Sequence, residues 1–297
     1  MSIIPQGRAN FLRATMRGMK RLLPFVAFAL VAGCQTETSP IGGEVPDKVY
    51  ARVISLSPSV TELIALLNST NVLIGRTSGD NRPGYIKHVT IVANPAPDIE
   101  LIVQLQPDLV IVEENLINPN ELQKLKEIGS FDVEVIDIDS LKDWEAAVYR
   151  LGVLLQAHTR ASEVVDRVQQ SVANAKLSDA MYKPKVMVAM SPTSPWVAGK
   201  QSFQADVVRA AGGEPVGPDA DRFVATNPES IVQWSPDILF VSDDPEKFTG
   251  APWSTTRAGR DSEILEVYAD ILLRPGADVE RLIDAMSKEI RRVGSTR

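Results

Sequence analysis

The stretch Glu100-Leu-Ile-Val-Gln-Leu-Gln-Pro-Asp-Leu-Val-Ile-Val112 returns 129 positions later as Glu229-Ser-Ile-Val-Gln-Trp-Ser-Pro-Asp-Ile-Leu-Phe-Val241, with seven of thirteen residues identical. A second echo lies upstream: Arg52-Val-Ile-Ser-Leu-Ser-Pro58 and Lys185-Val-Met-Val-Ala-Met-Ser-Pro192 are each an apolar run closed by Ser-Pro. Self-similarity at a fixed period is the mark of repeated architecture. A period near 130 residues is too long for a solenoid unit, so it predicts two similar lobes. A chance likeness between two αβ units is the alternative.

Each half reads as short Val/Ile/Leu runs alternating with helical patterns, the signature of buried parallel strands with right-handed crossovers. Strands are predicted at 52–56, 72–75, 108–112 and 133–138 in the first half, and at 185–190, 237–242 and 264–272 in the second. Pro107 and Pro236 each end a helix and lead into a strand. Between the halves, Ala161, Val165, Val168, Val172 and Ala175 recur at three- and four-residue steps, which gives a helix one apolar face. That helix is predicted to run from a Thr159 cap to about residue 180. At roughly 33 Å it is long enough to cross both lobes and to resist their closure. A last helix at 278–293 carries Leu282, Ile283, Met286, Ile290 and Val293 on its buried face. The predicted fold is therefore α/β: two αβ lobes with central, mainly parallel sheets, bridged by one long α-helix. The predicted boundaries are 50–140 for the first lobe, 141–182 for the bridging tract and 183–297 for the second lobe.

The N-terminus obeys different rules. Residues 1–34 hold five basic residues and no acidic one, and the rest of the chain, with 26 basic against 38 acidic, carries −12. Lys20-Arg21 precedes the apolar run Leu22 to Ala32, the pattern of an export signal too short to span a bilayer comfortably. The run closes Val31-Ala32-Gly33-Cys34, which resembles a bacterial lipoprotein signal box. The resemblance implies a signal peptide at 1–33 and a lipid on Cys34. The Thr/Ser/Pro/Gly-rich segment that follows, to residue 49, cannot bury enough apolar area to order itself and reads as a tether. The acidic body argues against nucleic acid as a partner. One Cys and two His exclude a disulfide framework and a Cys- or His-rich metal centre. There is no Gly-x-Ser-x-Gly elbow, Walker loop, Gly-x-Gly-x-x-Gly fingerprint or His-Glu-x-x-His. The adjacent pairs Glu113-Glu114 and Asp243-Asp244 are the remaining candidates for paired acids, and strand-end acids of this kind are expected to be solvated.

From about residue 50 to 293 the chain resembles the periplasmic substrate-binding proteins of ABC importers for metal chelates: vitamin B12, haem and ferric siderophores. The likeness rests on the order of Arg52-Val-Ile-Ser-Leu-Ser-Pro-Ser-Val-Thr-Glu-Leu63, Pro107-Asp-Leu-Val110, Gly199-Lys-Gln-Ser202, Ala211-Gly-Gly-Glu214, Glu229 through Asp237, and Leu272-Leu-Arg-Pro-Gly276. It implies a binding protein that is not an enzyme, holds no resident cofactor or metal and works as a monomer. It also implies a location outside the cytoplasm, lipid-anchored to a membrane. The chelate or corrinoid would be the transported ligand, handed to an ABC permease dimer with its cytoplasmic ATPase.

The resemblance places one permease-docking glutamate in each lobe, Glu100 and Glu229, which are also equivalent residues of the internal repeat. Both acids fall in a helical first turn, where a carboxylate also meets the helix dipole favourably. By the same likeness the ligand is lined by loops 77–85, 92–97 and 113–118 of the first lobe and 192–197, 222–226 and 243–253 of the second. The members with useful chemistry are Arg82, Tyr85, Asn94, Trp196, Arg222, Phe223 and Trp253: aromatic faces for a flat macrocycle or catecholate, guanidinium groups for carboxylates or phosphates. The chain departs from the family's Gly-rich turn at Ala93-Asn-Pro-Ala-Pro97, beside the ligand. His88 reads as a lone surface histidine. A sensing lipoprotein of the same fold and, more remotely, an envelope hydrolase are the competing readings.

Overall fold

The computed structural model describes residues 48–176 and 182–296. The predicted signal peptide, Cys34, nearly all of the predicted tether and the end of the predicted bridging tract lie outside these residues. Among the described residues no helix is long and apolar enough to cross a membrane.

The first lobe follows the predicted alternation. It comprises β1 (Val53–Ser55), α1 (Pro58–Leu66), β2 (Leu73–Thr77), β3 (Thr90–Ala93), α2 (Ile99–Gln104), β4 (Leu109–Glu113), α3 (Pro119–Ile128) and β5 (Asp132–Ile136). Its strands lie in the order β3-β2-β1-β4-β5, all parallel. The chain winds outward from β1 on one side and then returns through β4 on the other, so β1 and β4 bracket a topological switch point. Two extended helices follow, α4 (Leu141–Leu154) and α5 (His158–Lys176).

The second lobe continues with β6 (Lys185–Met190), β7 (Trp196–Ala198), α6 (Phe203–Ala210), β8 (Glu214–Pro215), β9 (Phe223–Ala225), α7 (Pro228–Trp234), β10 (Ile238–Val241), α8 (Arg257–Arg260), β11 (Ile264–Glu266), α9 (Ala269–Leu272) and α10 (Val279–Ser295). Its sheet runs β11-β10-β6-β7-β9, with β8 beside β6 and β7 antiparallel to both of its neighbours. The strand predicted over 264–272 stops early. Val267 makes a last ladder bond to the Val241 carbonyl, where β10 ends, and without a partner the chain turns into α9. The short strands β3, β7, β8 and β9 were not predicted; all pair through tertiary contacts in stretches interrupted by Pro, Gly and Ser.

The bridging tract holds two helices: α5, on the predicted bridging helix, and α4 ahead of it. Gly152 explains the tight corner between them: a Cβ there would lie 2.6 Å from the Ala161 Cβ. α5 starts one residue before the predicted Thr159 cap. Thr159 is already helical, and the first bond runs from the Ala161 amide to the Ala157 carbonyl. At 19 residues α5 is about 28 Å long.

Strand alternation sorts the core. Val53, Leu109 and Ile111 face one side, as do Val186, Ile238 and Phe240 of the second sheet, and all join one cluster with Trp144, Val148, Val165, Val168 and Ile283 of the long helices. The opposite faces, Ile54, Val110 and Val112 in one lobe and Met187, Leu239 and Val241 in the other, form separate clusters under their own helices. The lobes therefore share a core through α4, α5 and α10.

The repeated Pro-Asp explains itself in the ladder. Asp108 accepts from the backbone amides of Ala51 and Arg52, at 2.8 and 3.1 Å, and so ties β4 to the start of β1. Asp237 does the same for β6 through the Lys185 amide at 2.8 Å, and adds Tyr182 and the Arg257 guanidinium.

Candidate ligand-binding cleft

In open α/β sheets ligands bind outside the carboxyl ends of the strands, at the switch point. In the first lobe that point is floored by Ser57 and Glu113. Ser57 caps α1, its Oγ accepting from the Val60 amide and donating to the Glu113 carboxylate at the end of β4. Glu113 is only 6% exposed. Burial pushes its carboxyl above the ordinary value, opposed by the Ser57 hydroxyl and reinforced by Asp137 and Asp139. The expectation that the Glu113-Glu114 pair would be solvated thus fails for Glu113 and holds for Glu114. Asn115 donates to both Asp137 (2.9 Å) and Asp139 (3.0 Å) and so orders the acids that follow β5.

The loop after β2 is built on a second buried carboxylate. Asp80 accepts from the Thr77 amide at 2.7 Å and from the hydroxyls of Thr61 and Thr77. Burial raises its pKa against these bonds and against Arg76. Past Asp80 the loop meets the second lobe. Arg82 is bonded to Asp278, Asn81 donates to Asp270 at 3.2 Å, and Arg274 reaches Asn81 at 3.1 Å.

Beneath them the segment Arg274-Pro-Gly-Ala277 docks on the first lobe. The Ala277 amide donates to Glu62 at 3.2 Å, and the Gly276 carbonyl accepts from Trp144 Nε1 at 3.0 Å. A Cβ on Gly276 would overlap the Glu62 carboxylate. Burial raises the Glu62 carboxyl; the Ala277 amide, Arg82 and Arg274 oppose that shift.

The predicted ligand residues divide. Trp196 is 45% exposed and pairs with both Met190 and Ala225, at the carboxyl ends of β6 and β9. Tyr85 is 61% exposed and shares a recess with Arg82, Glu62 and Ala277. Asn94 is exposed, its Oδ1 accepting from Ser78 Oγ at 2.9 Å. Arg222 is exposed beside Asp221; that hydrogen bond, and the Asp139 and Asp137 carboxylates of the other lobe, raise its basicity.

Three expectations need correction. Trp253 is a core residue: 1% exposed, edge-on to Phe248 at 5.1 Å, its indole donating to the Pro192 carbonyl at 3.0 Å. Phe223 is half-buried and packs against the main core, because it stands on the same face of the β7–β9 ladder as buried Ala198. Arg82 is committed to Asp278, a buried acid that needs a cation. His88 is exposed, with Nδ1 2.8 Å from the Tyr85 carbonyl.

Glu100 and Glu229 are both exposed, one residue into α2 and α7, whose caps are Asp98 and Asn227. Each helix precedes a parallel strand, so both acids stand at the carboxyl end of their sheet.

A two-lobed α/β molecule whose lobes share one core through their helices has the build of a solute-binding protein. Residues 53–276 match the family model described as periplasmic binding protein, and the chain belongs to that family, one of binding proteins and not of enzymes. It is 23% identical over 251 residues to the ABC transporter substrate-binding lipoprotein YvrC of Bacillus subtilis, covering 80% of this chain and 79% of that one. It is 26% identical over 222 residues to the high-affinity heme uptake system protein IsdE of Staphylococcus aureus, covering 72% and 73%. Among solved structures, the vitamin B12 binding protein BtuF of Vibrio cholerae shares the fold at a TM-score of 0.73 and 19% identity, over 84% of this chain and 99% of that one.

Proposed function

We propose that this protein captures a metal chelate or corrinoid, cobalamin-like, haem or ferric siderophore, between its lobes outside the cytoplasm and delivers it to an ABC permease dimer. The observation that carries the reading is Trp196: a large aromatic held on a paired strand, half out in solvent, at the carboxyl ends of the second sheet. Burying one ring face against a flat macrocycle recovers the apolar area that the fold leaves wet. Tyr85, Asn94 and Arg222 supply adaptable polar contacts at the rim. The shared core keeps lobe closure small, so affinity comes from a cleft already formed. Cys34 carries a lipid that holds a monomer at the membrane, and Glu100 and Glu229 dock on the permease.

Titration of the purified protein with cyanocobalamin, haemin and a ferric siderophore, read by native mass spectrometry and absorbance, tests the ligand class. One of them is expected to form a 1:1 complex, and Trp196→Ala weakens it at least ~10-fold with an unchanged unfolding midpoint. Failure of all three, or full affinity in the variant, refutes the assignment. Cys34→Ser is expected to shift the protein from the membrane to the soluble fraction; persistent sedimentation with lipid would count against the anchor.

A further inference from the structure

The seven identities of the internal repeat sort into two sets by burial. Ile102 and Ile231 are 0% exposed, as are Val112 and Val241, and Pro107 and Pro236 are buried. Asp108 and Asp237 hold the strand register described above. The fold accounts for these four. It does not account for the other three: Glu100/Glu229, Val103/Val232 and Gln104/Gln233 are exposed in both copies.

The valines are the informative members. Val103 is 41% exposed and Val232 42%, at the same place in two helices whose neighbouring residues have diverged. An exposed valine in a helix adds neither propensity nor core packing. Spacing of i, i+3 and i+4 puts the glutamate, valine and glutamine on one helical face. Among the described residues neither glutamate has a cation within salt-bridge distance. Each lobe therefore offers the same stripe: an unpaired acid, an uncovered apolar group and an amide.

We infer that Val103 with Gln104 and Val232 with Gln233 extend the glutamate contacts into two matching docking patches, and that their occupant is the permease dimer. This rests on the docking reading of Glu100 and Glu229. Two copies of one pattern on a single chain fit a partner that presents one complementary pattern twice, about a twofold axis: a cation to meet the acid, and beside it an apolar recess. The two components divide the work. Exposed charge steers encounter and sets register, whereas apolar area removed from water prolongs the bound state.

The test uses the full-length protein and the ABC permease–ATPase complex of the same transport system in lipid nanodiscs, with binding kinetics recorded at low and high salt. Val103→Ser with Val232→Ser is expected to raise Kd about tenfold, almost entirely through faster dissociation, with the association rate and its salt dependence unchanged. Each single valine variant carries a comparable share of the loss. Glu100→Gln with Glu229→Gln instead lowers the association rate and flattens its salt dependence. Unfolding midpoints stay at the wild-type value in all variants, because the residues are exposed. Wild-type dissociation in the double valine variant, alongside impaired docking of the double glutamine variant, overturns the valine patches and leaves the glutamate reading standing. Wild-type docking of the double glutamine variant overturns both. A loss confined to one valine overturns the paired arrangement.

Discussion

The two lobes begin from one pattern and finish differently. After β1, Ser57 caps a helix and Pro58 occupies its first turn, so the chain crosses over and the first sheet stays wholly parallel. After β6 the matching Ser191 adopts a left-handed φ of 61°, and the chain doubles back into antiparallel β7. The same dipeptide opens a crossover in one lobe and a reversal in the other. What decides is the sequence beyond it: Ser59-Val-Thr-Glu-Leu63 can continue an amphipathic helix, whereas Thr193-Ser-Pro195 cannot. The reversal is what places Trp196 at the carboxyl ends of the second sheet. The first lobe leaves an acidic rim at its corresponding end, over buried Glu113. Duplication thus supplied the frame, and divergence after the first strand made the two walls of the cleft chemically unlike.

The largest expected difference between the lobes is in their strand-opening aspartates. Asp237 is fully buried and serves an amide, a phenol and a guanidinium, whereas Asp108 is half-exposed and serves two amides. Asp237→Ala should cost about 3 kcal/mol and Asp108→Ala about 1 kcal/mol, read as urea midpoints at constant slope. Equal losses would mean that the two lobes are tied to their first strands equally.

Next comes the seam that joins the lobes. Gly276→Ala drives a methyl group into the Glu62 carboxylate, which is pinned by the Ala277 amide and faces Arg274 at 3.5 Å. A loss of about 2 kcal/mol is expected. If the core is shared, circular dichroism and tryptophan fluorescence still report one coincident transition. Separate transitions for the two lobes would show that the seam, and not the common core, makes them unfold together.

Much of this arrangement was legible before any coordinate. β6 falls on its predicted residues because a short unbroken apolar run marks a strand buried on both faces, and α10 buries all five predicted side chains because its 3.6-residue period marks one buried face. The short antiparallel strands were not legible: β7 and β9 are three residues each, and β7 is held between β6 and β9 while β9 pairs with β7 alone. Site residues fared by the same rule. An aromatic in a loop reads alike whether it lines a cleft or fills a core, so Trp196 and Trp253 were indistinguishable until Phe248 and the Pro192 carbonyl were seen against the second. The buried member of Glu113-Glu114 was missed because strand-end acids are ordinarily wet, and its partner Ser57 is 56 positions away.

The smallest effect is the most selective test of how the lobes differ. The position equivalent to Glu113, 129 residues on, is Ser242, so a buried ionisable group at the strand end exists in the first lobe alone. Burial holds the Glu113 carboxyl above its ordinary value, with Asp137 and Asp139 adding to the shift. The folded chain therefore grips this proton more tightly than the unfolded chain. Its contribution to stability is complete below the ordinary carboxylate range and disappears as pH rises through the folded-state value. Glu113→Gln keeps an acceptor for Ser57 and cannot ionise. At neutral pH the variant should be the more stable, by on the order of 1 kcal/mol or less, and the gap should close as the solution is acidified toward the ordinary carboxylate range. Thermal midpoints across that pH span read the gap. A variant less stable at neutral pH would mean that the ionised carboxylate is held by its bond to Ser57 more strongly than burial penalises it, and the first lobe's floor would then be an anchored anion instead of a strained one.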